Sequence, residues 1–228
     1  MSVSASHVTL SYFDADQTVY AVRDVTLELP DTGFFGIIGP SGSGKSSLLY
    51  LLSGLKRPTA GDVQYRGRSL GSMGERERVR LRRERFGFVF QQPFLLGYLT
   101  ARENLLVGAP LGDRDAPRRV DSLLADLHID RLARRIPAHL SGGERQRLVV
   151  ARAMMNEPEV IFADEPTASL DHANGRAVID LLLRYRERGA VVVVTHDPTM
   201  LEDADRVYRL CDGAVESVHE RRHPNPVV

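Results

Sequence analysis

Gly39 to Ser46 reads GPSGSGKS and satisfies G-x-x-x-x-G-K-[ST] at every fixed position. The apolar stretch FFGIIG runs into it, and SSLLYLLSGL, which carries an apolar helical face, follows it. That strand–loop–helix setting is what gives the motif its meaning. Its glycines let the backbone turn tightly and aim N–H donors at phosphate oxygens. Lys45 can reach the β- and γ-phosphates of a nucleotide, and Ser46 can set its hydroxyl on Mg²⁺. The candidate nucleotide contacts are Gly39, Pro40, Ser41, Gly42, Ser43, Gly44, Lys45, Ser46 and Ser47.

A phosphate loop alone hydrolyses nothing. Magnesium needs a carboxylate, and an attacking water needs a group to orient or deprotonate it. VIFADE offers both at the end of an apolar strand, the place where open α/β sheets put their ligands. Asp164 is the expected magnesium partner, and Glu165, one residue on, projects past the metal toward water. VVVVTHD repeats the arrangement and ends a buried strand at His196, which can bond the γ-phosphate or hold water and Glu165 in line.

A second loop asks for explanation. Leu140 to Arg147 reads LSGGERQR, with a serine and two glycines at the start of a helical pattern. Such a start also presents N–H groups to an anion.

These residues need a frame, and the sequence predicts one. HVTLSYF and RDVTLELP alternate apolar and polar residues as half-buried strands do, the second stopping at Pro30, and a short strand is expected at Asp62 to Tyr65. LGSMGERERVRLRRER, residues 70–85, is read as a solvated helix or loop, because glutamates interleaved among the arginines disfavour a nucleic-acid patch. FGFVF is another strand. From Gln92 to about Asn156 the patterns are mostly helical, including VDSLLADLHIDRLARR and RQRLVVARAMM. EVIFADEP, AVIDLLLRYRERG and AVVVVTHD then alternate strand, helix, strand, which implies a parallel sheet with helices packed on it. DRVYRL and AVESV form a closing hairpin about Asp212-Gly213, and HERRHPNPVV is a frayed tail. The expected architecture is one α/β domain over 1–228. Its core spans 1–91 and 157–218, a helical subdomain is inserted at 92–156, and a tail occupies 219–228.

The totals fit that frame. The chain has 228 residues, 43% of them hydrophobic, with 30 Lys+Arg against 30 Asp+Glu. Zero net charge removes the long-range attraction of a dedicated nucleic-acid binder. A single cysteine, Cys211, allows neither an internal disulfide nor a cysteine zinc site and suits a reducing cytoplasm. No secretory signal is expected at the N-terminus, and no apolar stretch is long enough to span a bilayer.

Taken in order, the phosphate loop, a glutamine after FVF, LSGGERQR, VIFADE, SLD and THD resemble the ATP-binding subunits of ATP-binding cassette (ABC) transporters, over essentially the whole length. The resemblance implies a P-loop NTPase core of ABC type, with a mostly parallel sheet, an antiparallel β subdomain and an inserted helical subdomain. It also implies ATP and Mg²⁺ as ligands, and a homodimer formed head to tail on ATP binding. In such a dimer Leu140, Ser141, Gly142, Gly143 and Glu144 would cover the partner's ATP. Gln91 would contact magnesium and the attacking water, Asp171 would sit at the dimer seam, and Tyr12 would stack on adenine, unless it packs in the core as a strand residue. The segment QQPFLLGYLT would sense an integral membrane permease-type subunit and hold the chain peripherally on the inner face of the cell membrane. Alternatively, Pro93 to Leu96 simply cap the helical subdomain. RLRRERFGFVFQ, LTARENL and ADEPTASLD are most similar to the macrolide-exporter and lipoprotein-release group, although LLGYLT departs from the Leu-Pro common there. The related cell-division ATPase is similar in layout, so regulation of a non-transport membrane complex is the alternative function. A soluble ABC factor acting on nucleic acid would carry two cassettes, a coiled coil or zinc modules. A non-hydrolysing clamp would not need Lys45, Asp164, Glu165 and His196 together.

Overall fold

The computed structural model describes residues 2–14, 17–110 and 112–221. In chain order, β1 (Val3–Asp14) and β2 (Gln17–Leu29) form a long hairpin, and β3 (Gly33–Ile38) leads through a loop to α1 (Lys45–Leu52). β4 (Ala60–Tyr65), β5 (Arg68–Ser69), α2 (Glu75–Arg85) and β6 (Phe86–Val89) follow. Next come α3 (Ala101–Leu106), α4 (Ala116–Asp126) and α5 (Gly142–Met154). β7 (Val160–Asp164), α6 (His172–Tyr185), β8 (Ala190–Thr195), β9 (Arg206–Cys211) and β10 (Ala214–Glu220) complete the order.

Two sheets result. β2-β1-β4-β5 is antiparallel; β10-β9-β3-β8-β7-β6 is parallel except for the last hairpin, β9 with β10. Every residue of β7 and β8 is buried, as expected of parallel strands covered on both faces. Their side chains alternate between two cores. Ile161, Ala163, Val191 and Val193 pack with the helices α3–α6, whereas Val160, Phe162, Val192 and Val194 pack with α1 and the antiparallel sheet. That period of two explains why continuous valine and isoleucine runs, not alternating ones, mark these strands.

The sequence expectations fail locally in three places. The helical pattern of VDSLLADLHIDRLARR stops at Asp126, because His128 takes a left-handed φ of 55°. Ile129 and Leu132 still reach the core from a short 3-10 turn. Residues 92–99 are not helical at all. His219 and Glu220, assigned to the tail, are paired with Val207 and Arg206 in β10, where Arg206 also binds the Glu220 carboxylate at 2.7 Å; the rest of that tail, 222–228, lies outside the described residues. The charged run does form a helix, α2, but Arg78 is buried in it and paired with Glu75. Among the described residues no helix is long and apolar enough to cross a membrane.

On the α1 side of the sheet an aromatic column runs from Tyr65 through Phe86 to Phe162, with edge-on rings at 5.3 and 5.2 Å. Phe162 is fully buried. Phe162→Ala should therefore lower the unfolding free energy by about 3–5 kcal/mol, the usual cost of deleting a core ring. Urea melts of the two proteins check this, and a loss below about 1 kcal/mol would show the column to be soft.

Candidate functional site

The phosphate loop hangs between β3 and α1 and leaves no room for side chains at two of its glycines. A Cβ on Gly39 would meet the Leu210 carbonyl oxygen at 2.2 Å. Gly44, at φ 95°, would place one 1.9 Å from the Ala21 carbonyl oxygen. The loop is thus wedged against the β2 and β9 backbones, and Gly213 N–H donates to the Ser43 carbonyl at 3.1 Å. The helix it opens has no side-chain cap, so its first N–H groups remain available to an anion.

Inside the loop, Lys45 is 7% exposed and donates to the carbonyls of Gly39 and Pro40 at 2.9 and 2.8 Å. Ser43 Oγ is buried and has no hydrogen-bond partner among the described residues. A buried hydroxyl so placed fits a phosphate oxygen. A cavity of about 330 Å³ opens over the loop, lined by Ser41 to Ser47 without Ser43, and by Ala21, Glu165 and His196. A larger hollow of about 720 Å³, between α4 and the end of α6, is lined by Leu123, Tyr185 and Arg188 among others and collects none of the predicted site residues.

Three carboxyl-terminal strand ends meet here. Asp164 ends β7 beside Val194 of β8. It is 7% exposed and accepts from Ser46 Oγ and Tyr50 OH, both at 2.7 Å. Burial and the Asp164 carboxylate push the Tyr50 phenol up to about 12, so it remains a donor at neutral pH. Glu165 takes a left-handed φ of 46° while its N–H donates to the Val194 carbonyl at 2.9 Å. This uncommon backbone for a non-glycine residue turns its side chain out of the strand direction. His196, next after β8, sets Nδ1 at 3.1 and 3.0 Å from the two Glu165 oxygens.

Other predicted residues lie around this centre. Gln91 is exposed two residues past β6 and does not line the cavity. Its segment is tied to α5, where Gln146 donates to the Phe90 carbonyl at 3.3 Å and Arg152 to those of Pro93 and Phe94 at 2.9 and 2.8 Å. Tyr12 does not pack in the core: it is 44% exposed at the far end of the hairpin, and its hydroxyl meets Lys56 Nζ at 2.6 Å. Asp171 caps α6, accepting from the Asn174 N–H at 2.9 Å, and that bond holds its carboxyl below the usual range.

None of the residues 140–144 lines the cavity. Leu140 is buried, and Ser141 and Glu144 form a reciprocal capping box. Glu144 N–H donates to Ser141 Oγ at 3.2 Å, and Ser141 N–H to the Glu144 carboxylate at 2.9 Å. That second bond keeps the Glu144 carboxyl low. The Glu144 carboxylate thus turns back onto its own helix start. A Cβ on Gly143 would lie 2.8 Å from Asn174 Oδ1, so α5 and α6 approach closely there. Ala21 and Tyr50 were not singled out from the sequence. Ala21 has no local signal, but Tyr50 stands four residues after Ser46, one helical turn along the same face.

Comparison with known proteins agrees with this arrangement. A family model described as ABC transporter matches residues 22–168. The macrolide export ATP-binding/permease protein MacB of Neisseria gonorrhoeae is 39% identical over 219 residues, 94% of this chain. The chain spans only 34% of that relative's length. The uncharacterized ABC transporter ATP-binding protein MJ1508 of Methanocaldococcus jannaschii is 38% identical over 95% of this chain and 98% of its own. Among solved structures, a dimeric ATP-binding cassette MJ0796 in a post-hydrolysis state bound to ADP and Pi superposes with a TM-score of 0.88 at 35% identity, covering 97% of this chain and 99% of that one. A loop shaped for phosphate, an acidic strand end facing it and relatives matched along nearly the whole chain lead to one assignment: the protein belongs to the ABC transporter family, as a nucleotide-binding cassette.

Proposed function

We propose that the chain hydrolyses ATP to ADP and phosphate and that this drives a membrane-bound partner. The observation that carries hydrolysis is the Glu165–His196 pair on the rim of the cavity formed by the phosphate loop. The loop N–H groups, Lys45 and the Ser43 hydroxyl hold the phosphates, and Lys45 exchanges its two loop carbonyls for β- and γ-phosphate oxygens. Among the described residues no three His, Cys, Asp or Glu side chains cluster as a metal site. Ser46 and Asp164 suit magnesium, which commonly takes one or two carboxylates and completes its shell with phosphate oxygens and water. Bound there it would neutralise charge on the β- and γ-phosphates.

Glu165 orients the attacking water and accepts its proton as the oxygen adds to the γ-phosphorus and the bond to the β-phosphate oxygen breaks. His196 donates Nδ1–H to the Glu165 carboxylate and so keeps it in line with the water. Gln91 would contact the metal and the attacking water, and Tyr12 would offer its exposed ring to adenine in place of Lys56.

The helix start at Gly142 lies away from the cavity over the phosphate loop. We infer that it covers the nucleotide of a second copy packed head to tail, with Ser141 and the N–H groups of Gly142 and Gly143 toward the γ-phosphate and Asp171 at the seam. The dimeric structures of MJ0796 support this reading. The core, 1–91 with 157–218, then carries one wall of each site and the helical subdomain, 92–156, the other. Phe94 and Tyr98, 64% and 79% exposed, form the contact with a permease-type subunit on the inner face of the membrane. The name of the MacB relatives, ATP-binding/permease, supports such a partner.

Glu165→Gln should retain ATP binding while phosphate release falls by roughly 100-fold or more, the usual worth of a general base. Gel filtration should then reveal an ATP-stabilised dimer, and undiminished phosphate release would remove Glu165 from this role. Composite sites make a second expectation. Lys45→Ala and Ser141→Arg proteins, each inactive alone, should recover part of the activity when mixed, because one of the two shared sites then contains neither change. A mixture as inactive as its components would argue for sites contained within single chains.

A further inference from the structure

Ser46 and Tyr50 lie one turn apart on α1 and reach the same carboxylate from one helix face, each at 2.7 Å. Ser46 meets Asp164 Oδ1 and Tyr50 meets Oδ2. An aspartate's terminal torsion is broad, so its carboxylate turns readily unless something holds it. At 7% exposure, little water is present to do so. The Ser46 hydroxyl cannot serve as the permanent anchor, since it is the group that must turn toward a metal. The Tyr50 hydroxyl bears on the opposite oxygen and is free of that duty. Its ring is held as well: half-buried, it has Lys56 Nζ 5.9 Å from its centroid, and the same ammonium bonds the Tyr12 hydroxyl.

We propose that Tyr50 is a positioning residue for the metal site, its hydroxyl fixing the Asp164 carboxylate so that Oδ1 faces Ser46 and the incoming magnesium. The inference rests on the reading of Ser46 and Asp164 as the magnesium groups. It assigns Tyr50 no contact with nucleotide or water. Hydrogen-bond partners behind a liganding group commonly contribute 10–100-fold to metal affinity, and Tyr50 belongs to that kind.

Tyr50→Phe removes the one oxygen and keeps the ring. Binding of a fluorescent ATP analogue is measured against rising Mg²⁺, and separately in EDTA, for the native protein, Tyr50→Phe, Asp164→Asn and the double variant. Tyr50→Phe should raise the half-saturating Mg²⁺ roughly tenfold and leave the affinity in EDTA unchanged. Within Asp164→Asn it should add no further shift, because it acts through that carboxylate. If Asp164→Asn raises the requirement and Tyr50→Phe does not, the inference fails and the metal reading stands. A loss of affinity in EDTA, or a further shift in the double variant, also overturns it, since the hydroxyl would then be shaping the loop. If Asp164→Asn itself changes nothing, the reading of the metal site fails first.

Discussion

An α-helix can offer free N–H groups to an anion only from its first turn, and the glycine-flanked starts of α1 and α5 face different surroundings. The start of α1 lies under the loop Gly39–Gly44 and opens on the cavity; the start of α5 lies beside α6 and away from it. The start of α1 thus belongs to a phosphate site within the chain, and the proposed reading makes the start of α5 a lid for another. The head-to-tail dimer answers that separation, since a second copy brings each lid to a site. The capping box of Ser141 and Glu144 satisfies part of the α5 terminus internally, which keeps the helix start rigid while Gly142 and Gly143 add no side chains to obstruct approach.

At the equipped site, the parallel sheet does the positioning. Adjacent strands β7 and β8 end level with each other, so residues far apart in sequence, Asp164, Glu165 and His196, arrive at one edge. Asp164 still lies within the strand and looks back at α1. Glu165 has left it through a left-handed residue and looks toward the cavity rim. Two neighbouring carboxylates thereby take different partners, a pair of hydroxyls for one and an imidazole for the other. That division is what separate metal-holding and water-activating roles require. The same strand supplies its own rigidity, because Phe162 locks one face of β7 to the aromatic column while Ile161 and Ala163 lock the other to the helices.

The parts legible in the sequence were those fixed by local spacing. The phosphate loop, the buried strands before Asp164 and His196, and the helix after LSGGERQR each announce themselves within about ten residues. Where long-range geometry decides, the sequence misleads. The periodicity through Leu127 to Arg135 continues as though α4 did, because Ile129 and Leu132 are needed in the core whatever the backbone does at His128. Glu144 sits in an S-x-x-E pattern that signals a capping box, and the structure forms that box; its assignment to the partner's ATP comes from the resemblance of LSGGERQR, not from this local pattern. Tyr12 was open to a core reading, since strand alternation does not show where a hairpin outruns its sheet partner; β4 pairs with β1 only as far as Thr9. His219 and Glu220 read as tail in the sequence because their pairing partners, Val207 and Arg206, lie across a turn with no alternation to mark the strand's end.

The most direct test of the shared-site account is the rate of phosphate release per molecule as a function of protein concentration, with the mass of the particle followed by sedimentation at the same concentrations. Two chains per working site require the specific rate to climb with concentration while the protein is mainly monomeric and to level off as dimers come to dominate. A specific rate that stays constant where every particle has the mass of one chain would contradict it.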